Sequence, residues 1–155
     1  MDARQFRTAI VAPALISVGL HSEAAENLIV GTALTESRLE FVEQHGHGPA
    51  RSFMQIEKAT YDDCHRYLRL RNPKLKELIE CSILMDSFPP FECSTWNMRL
   101  AVLVARVKYY MDPSPLPDAG DANGMYEVYK RVYNTPLGRA TYGGSISHFL
   151  RACAS

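Results

Sequence analysis

The sequence lacks an excess of charge of either sign. Its 155 residues carry 17 basic and 17 acidic side chains, so the formal net charge at neutral pH is zero, and both halves of the chain are balanced. A neutral protein has no overall field that would draw it to nucleic acid. The composition is typical of one globular domain, and we expect no nucleic-acid partner.

The sequence also lacks an apolar run long enough for a bilayer. The run AIVAPALISVGL at residues 9–20 is shorter than a membrane span and is interrupted by Pro13. Two arginines precede it, as in a signal peptide, but residues 21–23 are not the small residues of a cleavage site. We predict an N-terminal helical segment over residues 1–20, no cleaved signal peptide and no stable membrane insertion.

Cysteine pairs with metal-binding spacing are absent. The four cysteines lie far apart, at positions 64, 81, 93 and 153, so no Cys-X-X-Cys motif exists. A domain of this length does not depend on disulfides, so reduced isolated thiols are favoured over a bridge, which stays the alternative. The tripeptide His45-Gly46-His47 offers two imidazoles without a clear third ligand. We predict no metal site and no cofactor.

Strand signals and internal repeats are nearly absent, while apolar residues recur at helical spacing. Ser22 before an acidic first turn and Asn72 before Pro73 are typical helix starts. The fold class that follows is all-α. The predicted helices cover roughly residues 3–19 (kinked near Pro13), 23–39, 58–70, 73–83, 95–110, 125–134 and 145–152.

The predicted helix at about 95–110 is apolar almost all round. A helix of that kind belongs at the centre of a helical domain, where every face is covered. The segment at 112–124 contains three prolines and three acids and is predicted to be a surface loop. The whole chain, 1–155, then forms a single domain around this central helix.

One acid ends an apolar stripe. Ile29, Ala33 and Glu36 lie at spacings of four and three residues, on one face of the second predicted helix. Glu36 could simply reach solvent at the end of that helix, as most glutamates do. Alternatively, the stripe could hold its carboxyl partly out of water, which would raise the pKa and suit a general acid. The periodicity allows both interpretations.

Four short motifs occur in a recognisable order. They are ALTES at 33–37, MQI at 54–56, an asparagine at 97 that opens the apolar helix, and Tyr-Asn at 133–134. Met54 follows Glu36 by a step of 18 residues. Together they resemble the motifs of the lytic transglycosylase and goose-type lysozyme group, over roughly residues 20–142. The closing string YKRVYNTPLGRAT is similar to that of small lysozyme-like proteins encoded by bacteriophages.

The resemblance implies a compact lysozyme-like domain that binds peptidoglycan glycan strands and cleaves the β-1,4 bond between N-acetylmuramic acid and N-acetylglucosamine. Glu36 would be the single catalytic acid of a lytic transglycosylase, giving 1,6-anhydro-muramoyl products. Gln55 would read the sugar, and the Tyr133 phenol would orient the Glu36 carboxyl. The substrate-binding residues that the resemblance implies are Ser37, Met54, Gln55, Ile56, Tyr133 and Asn134.

Two features depart from that group or leave alternatives open. Ser52 stands where the group usually has glycine, so a left-handed backbone there would be strained. No second catalytic carboxylate is obvious, since Glu57 and its acidic neighbours are explained by surface solvation. The alternatives are a hydrolytic lysozyme, or a non-catalytic virion or wall-binding module whose partners include other virion proteins. The expected location is the phage virion, or the host cytoplasm with delivery to the periplasm and cell wall.

Overall fold

The protein is helical throughout the part that the structure covers. This computed structural model describes residues 1–44, 46, 48–134 and 141–154. It is 67% helical, and the described residues form no strand, only isolated bridges of Arg51 with Glu43 and with Ile56. The all-α prediction is confirmed. None of the described helices combines the length and apolarity that crossing a membrane requires.

The helices follow one another along the chain, and the longest connection lies between Ser37 and Lys58. In chain order the α-helices of the described residues are α1 (Ala3–Phe6), α2 (Ala12–Ser17), α3 (Glu23–Ser37), α4 (Lys58–Arg71), α5 (Pro73–Ser82), α6 (Met98–Tyr110), α7 (Ala122–Val128) and α8 (Tyr142–Ala154). Two π-helical turns, Arg7–Val11 and Tyr129–Asn134, and a 3-10 turn, Phe91–Thr95, join some of them.

The predicted kink near Pro13 takes the form of a π-helical turn. The turn Arg7–Val11 connects α1 directly to α2, and Pro13 lies in the first turn of α2. Proline has no N–H to donate and its ring crowds the preceding helical turn, so a wider turn before it relieves the clash. The segment therefore remains one helical arm that ends at Ser17.

Side-chain caps start the helices where the sequence indicates. The Ser22 hydroxyl accepts a hydrogen bond from the Ala25 N–H at 3.1 Å, and the Asn72 side chain accepts one from Leu75 at 3.1 Å. Each bond satisfies an N–H that has no partner inside the helix. The central helix begins later than predicted, because Asn97 caps it through Leu100 at 3.0 Å and Ser94 and Thr95 lie in the 3-10 turn.

The predicted central helix is α6. Its residues from Leu100 to Val107 are all buried, and it packs against α2, α3, α4 and both π-helical turns. One apolar core, which extends from Ala3 to Ala152, surrounds it. In the segment predicted as a surface loop, 112–124, residues 112–121 form no helix or strand. The Asp121 side chain then accepts a hydrogen bond from Gly124, and α7 begins at Ala122.

The last helix packs against α3 at a glycine. A Cβ atom placed on Gly31 would lie 2.4 Å from Cδ1 of Phe149, a side chain with no exposed surface. Gly31 therefore lets α3 and α8 approach closely. Helix α8 itself begins at Tyr142, three residues before the predicted start.

We expect Gly31→Ala to destabilise the protein. The added methyl group must displace the Phe149 ring, and overpacking of this kind costs about 1–3 kcal/mol. Alanine regains only about 1 kcal/mol through its higher helix propensity. The measurement is the free energy of unfolding by urea, read by far-ultraviolet circular dichroism.

Gly143→Ala is the matched control. Gly143 lies in the first turn of α8, and a Cβ atom placed there meets nothing within 4 Å. We expect this variant to be as stable as the parent or slightly more stable. Equal stability of the two alanine variants would contradict the close approach at Gly31.

Candidate functional site

The Glu36 carboxyl lies partly buried in the last turn of α3. Its Oε1 atom accepts a hydrogen bond of 2.8 Å from the Tyr129 hydroxyl. The carboxyl lines an open cleft of about 390 Å³. The residues that line this cleft are Glu36, Phe41, Gln44, Ala50, Gln55 and Glu57. Of the two interpretations that the periodicity allowed, the structure favours the carboxyl held partly out of water.

The surroundings of Glu36 favour its protonated form. Burial raises the pKa of Glu36 most strongly, and the negative charge of Glu57 raises it further, while the hydrogen bond from Tyr129 lowers it. The position at the C-terminal end of a helix also disfavours a negative charge. The net effect is a Glu36 pKa above the ordinary value, as a proton donor near neutral pH requires.

The tyrosine that holds Glu36 lies one helical turn before the predicted one. Tyr133, the expected partner, donates its hydrogen bond to the Met54 carbonyl at 2.7 Å, so the predicted Tyr133–Glu36 bond was wrong. Tyr129 and Tyr133 are four residues apart and their rings stack at 6.2 Å. Asn134 lies close enough to Tyr129 to lower the pKa of that phenol, and its side-chain oxygen accepts a hydrogen bond of 2.8 Å from Lys130.

The turn that carries the MQI motif is closed and strained. Arg51 and Ile56 exchange two backbone hydrogen bonds of 2.9 Å, and both Ser52 and Gln55 adopt left-handed backbone angles, with φ of 66° and 46°. The conformation costs a non-glycine residue about 1–2 kcal/mol. The Ser52 hydroxyl offsets part of that cost, because it accepts a hydrogen bond from the Met54 N–H at 3.2 Å. The left-handed backbone that the resemblance implied at Ser52 is present.

Gln55 is the predicted substrate-binding residue that reaches the cleft most directly. One amide N–H donates to the Ser52 carbonyl at 2.8 Å, which fixes the side chain against its own turn. An amide has a second N–H and a carbonyl oxygen that can both form further hydrogen bonds. Gln55 can thus present a fixed donor and acceptor to a ligand in the cleft.

Three other predicted site residues lie behind the cleft wall. Ser37, Met54 and Ile56 are buried and are not among the residues that line the cleft. The Ser37 hydroxyl donates to the Phe53 carbonyl at 2.8 Å, which ties the end of α3 to the MQI turn. Their direct contact with substrate stays a prediction, and in the structure they position Glu36 and Gln55.

Four residues that line the cleft were not predicted from the sequence: Phe41, Gln44, Ala50 and Glu57. Glu57 is exposed, as expected of a surface acid, but it follows the closed turn directly and therefore shares the cleft with Glu36. The sequence signal that could have identified Glu57 as a cleft residue was its position directly after the MQI motif. Phe41 and Gln44 lie in the irregular segment after α3, for which the sequence offers no periodic pattern.

The described residues offer no metal site. No group of three or more histidine, cysteine, aspartate or glutamate side chains among them could hold an ion, and His45 and His47 lie outside the described residues. All four cysteines are free thiols. Burial raises the pKa of the Cys64 thiol to about 12, so this cysteine is unreactive near neutral pH.

Comparison of the chain with protein-family models, with curated proteins and with solved structures finds no match.

We expect Tyr129→Phe and Glu57→Gln to move the Glu36 pKa in opposite directions. Removal of the Tyr129 hydroxyl takes away a bond to the carboxylate, so the pKa rises, whereas removal of the Glu57 charge takes away a repulsion, so the pKa falls. The measurement is a pH titration of the Glu36 side-chain carboxyl signal by carbon-13 NMR.

Tyr133→Phe is the control for the phenol. It removes a hydroxyl of the same kind four residues away, where the partner is the Met54 carbonyl and not the carboxyl. The Glu36 pKa should change less in Tyr133→Phe than in Tyr129→Phe. The reverse order would mean that Tyr129 does not hold the carboxylate.

Proposed function

We propose that the protein cleaves the β-1,4 bond between N-acetylmuramic acid and N-acetylglucosamine in peptidoglycan, with Glu36 as the catalytic acid. The carrying observation is the partly buried Glu36 carboxyl in an open cleft, held by the Tyr129 hydroxyl, with a raised pKa. A glycosidic oxygen is a poor leaving group until it is protonated. A protonated carboxyl fixed at the edge of a cleft supplies that proton.

The reaction that we propose is that of a lytic transglycosylase. Glu36 donates its proton to the glycosidic oxygen of N-acetylglucosamine as the bond to C1 of the muramoyl unit breaks. The Glu36 carboxylate then takes the proton from the muramoyl 6-hydroxyl, whose oxygen forms a new bond to C1. The products are a free 4-hydroxyl and a 1,6-anhydro ring, and Glu36 is again protonated.

Other cleft residues suit a glycan chain. The Gln55 amide can pair with an N-acetyl group or with sugar hydroxyls, because it offers donor and acceptor in one plane. Phe41 is 44% exposed, which leaves part of its ring available to the apolar face of a pyranose. The cleft is open, as the binding of a polymer requires.

We expect Glu36→Gln to abolish cleavage of purified peptidoglycan. The amide has nearly the shape of the carboxyl but cannot donate the proton, and loss of a general acid typically costs about 10²–10⁴ in rate. The measurement is the release of soluble muropeptides, identified by mass spectrometry. Unchanged release by the variant would remove Glu36 from the mechanism.

The stability of Glu36→Gln shows whether the loss is chemical. A raised pKa in the folded state means that ionised Glu36 destabilises the fold, so the stabilisation from its protonated form is lost as pH rises through the folded pKa. Glutamine carries no such penalty. The difference in melting temperature between Glu36→Gln and the parent should therefore favour the variant more at pH 7 than at pH 4.

A hydrolytic lysozyme is the second candidate. Its supporting observation is Glu57, which lines the same cleft as Glu36 and raises the Glu36 pKa by its charge. Glycosidases of the inverting kind use a second carboxylate to activate a water molecule on the opposite side of the sugar. In that case the product would carry a reducing end and not a 1,6-anhydro ring.

We expect Glu57→Gln to leave the 1,6-anhydro product in place, because the transglycosylase route needs one carboxyl only. Mass spectrometry separates the two products, since the hydrolysed end is heavier by one water. If the parent protein produces reducing ends and Glu57→Gln does not, hydrolysis is established. Binding to peptidoglycan without any turnover by the parent protein would favour a non-catalytic wall-binding module.

We also propose a bacteriophage origin and action at the bacterial cell wall. The support is the similarity of the closing string YKRVYNTPLGRAT to phage-encoded lysozyme-like proteins. The residues of that string from 135 to 140 lie outside the described part of the chain. Carriage in the virion, or delivery from the host cytoplasm, would bring the enzyme to its substrate.

A further inference from the structure

A second cavity lies at the C-terminal end of the central helix. It has a volume of about 310 Å³ and is bounded by Arg106, Tyr109 and Tyr110 of α6 and by the loop from Asp112 to Leu116. None of these residues lines the Glu36 cleft. Prolines at positions 113 and 115 restrict the backbone of the loop, so the cavity wall is largely preformed.

Arg106 is a buried cation in the wall of this cavity. It is only 8% exposed, and its Nε atom is buried without a hydrogen-bond partner. Its guanidinium lies 5.7 Å from the centre of the Tyr110 ring. Among the described residues, no carboxylate lies within ion-pair distance of it.

The acid that shares the cavity is already engaged. The Asp112 carboxylate pairs with Arg131 at 3.2 Å and accepts a hydrogen bond of 2.8 Å from the Ser114 N–H. These bonds, with the Ser114 backbone first, lower the pKa of Asp112, so its charge is balanced within the loop. In the part of the chain that the structure describes, the positive charge of Arg106 is therefore left without an ion-pair partner.

A buried guanidinium without an acid is unusual, because burial of a charge is costly unless the charge is paired. Burial accordingly lowers the pKa of Arg106, although an arginine remains protonated at neutral pH. The planar guanidinium matches the two oxygens of a carboxylate or phosphate group through parallel N–H bonds. Tyr110 and Ser114 line the same cavity, and a hydroxyl group is able to donate a hydrogen bond to an oxyanion.

We propose that the cavity at the end of α6 binds a small oxyanion, a carboxylate or a phosphate group, through the guanidinium of Arg106. The site is independent of the peptidoglycan-cleaving function proposed for Glu36. An oxyanion bound there would balance the charge of the Arg106 guanidinium and would fix the loop from Asp112 to Leu116 against the helix.

The test is nitrogen-15 NMR of the arginine side chains in the full-length protein. The Arg106 Nε–Hε signal is assigned by its absence from Arg106→Lys. The probes are sodium acetate and inorganic phosphate, titrated at an ionic strength held constant with sodium chloride. We expect a saturable shift of this signal in the parent at millimolar acetate or phosphate. The reporter that the parent shares with Arg106→Lys is the backbone amide signal of Ser114 in the cavity loop, and the affinity read from it should be weaker by about tenfold or more in the variant.

Arg99→Lys is the matched control. Arg99 lies on the same helix but donates to the Ser82 carbonyl at 2.8 Å, away from the cavity. Its variant should bind the probe as the parent does, and so should Glu36→Gln, whose change lies in the other cleft. Equal weakening in Arg99→Lys or in Glu36→Gln would overturn the assignment to Arg106.

The two probes distinguish the sources of the oxyanion. Saturation by acetate alone identifies a carboxylate ligand, such as the end of a peptide, and saturation by phosphate alone identifies a phosphate ester. Saturation by both supports a general oxyanion site. If the shift in the parent protein never saturates, or if sodium chloride alone reproduces it, the proposal is overturned. This test needs no variant.

Discussion

The hydrogen bond from Tyr129 to Glu36 joins segments that lie 93 residues apart in the chain. One partner ends α3 and the other begins the π-helical turn after α7. The bond can form only when both elements pack against the central helix. Because it holds the carboxyl at the edge of the cleft, the position of the candidate catalytic group depends on the packing of the whole domain and not on its own helix alone.

The other wall of the cleft is tied to the same helix end. Ser37 donates to the Phe53 carbonyl, and the Tyr133 hydroxyl donates to the Met54 carbonyl, so the MQI turn is anchored from two directions. These anchors stabilise the left-handed backbone at Ser52, which would otherwise be costly for a serine. The cleft residue Gln55 lies in the same turn, and its side chain is fixed by its hydrogen bond to the Ser52 carbonyl.

Short-range signals allowed much of the fold to be predicted from the sequence. Ser22 and Asn72 cap helices through bonds to residues three positions away, and the all-round apolar pattern of α6 identified the centre of the domain. Short-range signals could not show which of the two tyrosines, Tyr129 or Tyr133, bonds to Glu36. Both lie on one helical face, and which of them meets Glu36 is set by the docking of α3, which no local pattern encodes.

The zero net charge of the chain conceals two local departures from balance. Glu36 has a second carboxylate in its cleft, and among the described residues no carboxylate lies within ion-pair distance of Arg106. Tyr109 lies between them, because it lines the Arg106 cavity while its ring stacks at 5.4 Å on Tyr133, next to Tyr129. Removal of each charge from water opposes folding, and the apolar core around α6 offsets that cost. The raised pKa of Glu36 lets it avoid that cost in its neutral form, whereas Arg106 stays charged, and these are the two positions at which we propose that ligands bind.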